Sequence, residues 1–161
     1  MTATHDPDTA PSHTCHERAQ AGFITAVWAS GGLAILAAAL FDEMSDFMGD
    51  NGLAAVLFVA ATYASSYLFG RLLARERIRA NIFLAVPVAF VVSTLVLATA
   101  GMFGGVGATI TMLASGQVDP DAFAPIFVVP FVMTLWGVMF TGPLSLGLGI
   151  TTRLWHAWTR R

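Results

Sequence analysis

The run Ile82–Val118, IFLAVPVAFVVSTLVLATAGMFGGVGATITMLASGQV, contains no Asp, Glu, Arg, Lys or His. A helix crosses the ~30 Å hydrocarbon core of a bilayer in about 20 residues. The run is therefore longer than one crossing needs and shorter than two crossings with a turn between them. Its flanks decide between the two. Before it stand Arg71, Arg75, Arg77 and Arg79 against a single Glu76, and after it Asp119, Pro120 and Asp121 with no basic residue. Cytoplasmic loops keep an excess of Arg and Lys, counted in short loops close to the span ends. Opposite flanks on opposite faces require an odd number of crossings, so the run is read as one span over residues 82–105 followed by an interfacial or re-entrant segment over 106–118. The cluster Gly101, Gly104, Gly105 and Gly107 is the expected place for the helix to loosen, glycine being the residue least committed to helix; its other reading is close packing.

Working outward, a second span covers about residues 53–73, with Arg71 near its end. It is preceded by an acidic connection, Asp42, Glu43, Asp46 and Asp50, which closes on the turn sequence Gly49-Asp50-Asn51-Gly52. A first span precedes that connection at about residues 21–41. A fourth follows Asp121 at about residues 123–150 and leads to Arg153, Trp155, His156, Trp158, Arg160 and Arg161, a basic and aromatic tail (153–161) suited to the lipid interface. The expectation is an all-α integral membrane protein: four transmembrane helices arranged as two helical hairpins within residues 21–152, N- and C-termini cytoplasmic, acidic connections outside.

Composition agrees. Of 161 residues, 56% are hydrophobic and 11% charged, with mean hydropathy +0.70, whereas soluble domains carry roughly 25% charged residues. All the basic residues are Arg and none is Lys, which with the abundant Ala suits a GC-rich bacterial genome and hence an inner, cytoplasmic membrane. Net charge is −2, and no basic surface of the kind nucleic acids require is present. Cys15 is the only cysteine, so one chain forms no disulfide, cysteine-rich zinc site or iron–sulfur site. Residues 1–20 are rich in Thr, Asp, His and Pro and read as a disordered cytoplasmic tail rather than a secretory signal, because the run that follows is longer than a signal core. His5, His13, Cys15 and His16 match no metal motif there. Asp42, Asp46 and Asp50 share a helical face opposite Met44, Phe47 and Met48, the pattern of a short amphipathic extension of the first span.

Within the spans the informative residues are small or hydroxylated. Gly22, Ala26, Ser30, Ala34 and Ala38 step by four along the first span and would let a helix approach closely, as would Gly101 and Gly105. Thr62, Tyr63, Ser66, Tyr67 and Gly70 are read as one face of the second span. Pro130, Thr134, Gly137, Thr141 and Ser145 form a similar stripe on the fourth, with kinks expected at Pro130 and Pro143. These hydroxyls read either as interhelical contacts or as a polar lining. No charged residue lies deep in any span, so charge-coupled transport and acid/base catalysis lack their usual side chains, and two intramembrane histidines for a haem are missing. No enzyme, cofactor or metal site is expected. The sequence supports a non-catalytic subunit or assembly partner, with the lipid bilayer and either further copies or other membrane subunits as partners. The alternative is a small oligomeric pore or carrier for an uncharged or weakly polar solute, lined by Thr62, Ser66, Tyr67, Thr134 and Thr141.

Overall fold

The computed structural model describes residues 10–39 and 51–159. In chain order these form helix α1 (Ala10–Ala39), helix α2 (Gly52–Gly70) tightening into a 3-10 turn (Arg71–Ala74), the short helix α3 (Glu76–Ala80), helix α4 (Ile82–Ala114), a second 3-10 turn (Pro120–Phe123) and helix α5 (Ala124–Thr159). The described residues contain no strand. Three stretches among them, Gly52–Ala74, Ile82–Ala114 and Pro120–Met139, are long and apolar enough to cross a membrane. Of their most apolar windows only 39%, 22% and 12% is buried, and Phe83, Phe127, Phe131 and Met139 stand out from the bundle. Soluble monomers rarely expose apolar patches beyond a few hundred Å², so hydrocarbon is the medium that suits this surface.

Two boundaries differ from the sequence expectation. Helix α1 starts at Ala10, so residues 10–20 are helical rather than an irregular tail; extending an existing helix adds one hydrogen bond per residue fixed, and the His16 and Gln20 side chains, 2.8 Å apart across one turn, reinforce it. Likewise residues 153–159 belong to α5. Residues 1–9, 40–50, 160 and 161 lie outside the described residues, and with them His5, the end of the first span and the acidic connection Asp42–Asp50.

The larger correction concerns the run that decided the topology. Helix α4 does not end near Gly105 but continues to Ala114, a length of about 50 Å at 1.5 Å per residue. Gly101, Gly104, Gly105 and Gly107 are all buried, and each is packed on a neighbour that keeps the helix intact. A Cβ at Gly101 would lie 2.7 Å from Pro130 Cα, and one at Gly107 2.6 Å from Ala54 Cα, while Gly105 sits on the Pro125 carbonyl. What stops α4 is Gly116, at φ +87°. There the Gln117 N–H donates to the Met112 carbonyl and the Gly116 N–H to that of Leu113, both at 3.1 Å, the left-handed glycine ending that satisfies a helix's last carbonyls.

At the opposite end of α4, Arg75 (ψ 127°) and Asn81 (ψ 115°) are extended and bracket α3. The Asn81 side chain accepts from the Phe83 N–H at 2.9 Å, capping α4. Arg153 of α5 donates to the Ala80 carbonyl at 2.9 Å, which brings the late part of α5 to the end of the bundle carrying the Arg71–Arg79 connection. Helix α4 runs between α2 and α5, along the small face Ala85, Ala89, Val92, Val96 and Ala100. Helix α1 lies on α2, with Gly70 seated on Thr25. Phe58, Ala61 and Ala100 form one core cluster; Leu73, Ala89 and Leu148 form another nearer the arginines.

Candidate functional site

Between the two core clusters the four long helices line a partly open cavity of about 420 Å³, within the range of small-molecule pockets. Glycines shape it. Gly32 of α1 lets Leu144 of α5 approach, Gly137 of α5 receives Leu97 of α4, and Gly147 of α5 takes the Trp28 indole, whose ring would lie 2.5 Å from a Cβ there. The walls are otherwise formed by Leu33, Val96, Met133 and Leu148. No charged residue lines the cavity; its polar groups are hydroxyls, Thr25 from α1, Thr62 and Ser66 from α2, Ser93 from α4 and Thr141 from α5.

The state of those hydroxyls sets the chemistry. Thr25 donates to the Ala21 carbonyl at 2.9 Å, Thr62 to that of Phe58 at 2.8 Å, and Thr141 to that of Val138 at 3.4 Å. Such bonds to the preceding turn of the same helix are how membrane helices bury hydroxyls. They commit the proton and leave lone pairs. Ser66 differs: it is fully buried, and its Oγ has no hydrogen-bond partner. A buried hydroxyl left without a partner costs about 1–3 kcal/mol.

The face assigned to α2 therefore divides in two. Thr62 and Ser66 turn inward, while Tyr63 and Tyr67 are 41% and 38% exposed and lie a 100° step around the helix. The Tyr63 hydroxyl is 3.0 Å from the Ser30 hydroxyl of α1. Tyr67 packs over Gly22 and carries the Arg71 guanidinium 5.1 Å from its ring centroid, a cation–π distance. On α5 the stripe also separates: Thr141 reaches the cavity, whereas Thr134 bonds the Pro130 carbonyl at 2.6 Å and buried Ser145 that of Gly142 at 2.8 Å, neither of them lining it. In the α1 ladder Gly22 and Ser30 meet α2, Ala26 is half-buried and Ala34 is exposed; the Ala38 side chain lies outside the described residues. Gly101 and Gly105 pack against α5.

Thr25, Trp28, Gly32 and Ser93 were missed. Trp28 carries the usable signal, since tryptophan favours the membrane interface and this one sits well inside an apolar run. Among the described residues no three His, Cys, Asp or Glu side chains come together. No protein-family model matches the chain, and no curated protein or solved structure is significantly similar to it.

Proposed function

We propose that the chain is a four-span protein of a bacterial cytoplasmic membrane that binds a neutral, weakly polar small molecule inside its own helical bundle, as a carrier or a receptor. Both termini and the Arg71–Arg79 connection are assigned to the cytoplasmic face, the acidic connections to the other. The alternation of charge along the sequence supports that orientation, as does the Arg153 contact with Ala80 at one end of the bundle. The single observation that carries the binding reading is the four-helix cavity, which gathers Thr62, Ser66 and Thr141 within one chain. These side chains suit an internal site better than a pore shared between subunits, because Tyr67 and Thr134 do not join them.

The test is thermal unfolding of the protein in lipid nanodiscs against a panel of small neutral lipophiles. A molecule binding only the folded state raises the melting temperature by mass action, by about 2.7 kcal/mol of stability at a hundredfold excess over its Kd. The shift should disappear in Ala29→Leu, whose larger side chain takes up space in the cavity that Ala29 lines. A panel giving no saturable shift, or shifts identical in the filled variant, rules the reading out. A second reading, a non-catalytic subunit of a larger membrane assembly, is favoured by α4 and α5, which at 33 and 36 residues outrun a ~30 Å core and offer projecting ends to a partner. Stable co-purification with different proteins in mild detergent would select it.

A further inference from the structure

Resting on the binding reading, we infer that the ligand carries a hydroxyl group, as a lipophilic alcohol or phenol does, and that Ser66 and Thr62 hold that group by opposite halves of its hydrogen-bonding capacity. Ser66 is the donor. Its Oγ is buried and has no partner, so its proton is uncommitted, and Ser66 is among the residues that line the cavity. Thr62 stands one turn earlier on the same face of α2, and its proton is committed to the Phe58 carbonyl. It offers only lone pairs, so it accepts and does not donate. A ligand group that meets both must accept from Ser66 and donate to Thr62, which a hydroxyl does and an ether or ketone does not. Thr25 of α1, whose proton is committed to Ala21, adds a further acceptor. The remainder of the molecule is apolar, because Trp28, Leu33, Val96 and Met133 surround it. It is uncharged, because no ionised side chain lines the cavity to compensate a charge.

The experiment uses the full chain in phosphatidylcholine nanodiscs with Trp136, Trp155 and Trp158 replaced by Phe, leaving Trp28 as the sole indole. Trp28 lines the cavity, and bromine quenches indole fluorescence on contact. The probes are 4-bromophenol and 4-bromoanisole, each titrated with correction for its partition into protein-free discs. Both should quench saturably, with the phenol binding at least about fivefold tighter than its methyl ether, the order expected for one hydrogen bond. Thr62→Val should remove the preference, since the ether never donated to Thr62. Ser66→Ala should weaken both probes alike, since either oxygen accepts from Ser66, and circular dichroism should show both variants folded. Saturable quenching with equal affinity for the two probes, or a preference that survives Thr62→Val, overturns the hydroxyl assignment and leaves the binding reading standing. Quenching that only follows partition, and is unchanged in Ala29→Leu, overturns both.

Discussion

Ser66 and Thr109 are buried hydroxyls that meet no partner, while most hydroxyls around them donate one turn back along their own helix. Removing an unpartnered buried polar group relieves its desolvation penalty. Ser66→Ala should therefore leave the ligand-free melting temperature unchanged or raise it by the equivalent of about 1 kcal/mol, measured by thermal unfolding in detergent. A loss beyond that size would mean Ser66 has a structural partner and would remove the basis for its ligand role. Gly101 should behave in the opposite way. Its hydrogen faces the Pro130 backbone, so Gly101→Val forces α4 and α5 apart and should destabilise by about 1–3 kcal/mol or more, as overpacking does. Sequence alone identified both residues, but only as members of stripes. That Ser66 lacks a carbonyl partner while Thr62, one turn away, has one depends on rotamers and neighbours, which spacing does not encode.

Among the elements, α4 shows how much a glycine's meaning depends on what faces it. The sequence reading gave its glycine cluster two roles, loosening and close packing, and placed the helix end there. Close packing against Ala54, Phe58, Pro125 and Pro130 accounts for all four, and the helix end belongs to Gly116, where nothing lies within 4 Å of the missing Cβ and the backbone itself is left-handed. Gly116→Ala should cost about 1–2 kcal/mol through strain at positive φ, with Gly116→Asn costing less, since Asn tolerates that region; equal loss in both variants would count against a conformational cause. Helical class and the presence of three stretches long and apolar enough to cross a membrane were legible because apolar run length alone dictates them. The extension of α1 to Ala10 and of α5 to Thr159 was not, because polar residues that continue a helix carry no hydrophobic period for a reader to follow.

For the whole molecule the testable quantity is orientation. In a Cys15→Ala background, a cysteine introduced at Ser45 should react with an impermeant thiol reagent added outside intact cells, and one at Ala80 should react only after lysis. The reverse pattern would invert the assignment made from the arginines, and labelling of both would break the hairpin arrangement. The bilayer must also accommodate α4. Even at a tilt of about 40°, the upper end of the usual range, a helix of about 50 Å projects about 38 Å along the membrane normal, more than the ~30 Å core. Lipids at its flank are then stretched, at fractions of a kcal/mol per Å of mismatch. Two such molecules that drift together share one ring of strained lipid instead of maintaining two. Clustering, and enrichment in the thicker patches of a membrane, then follow from elasticity alone, with no adhesive contact between proteins.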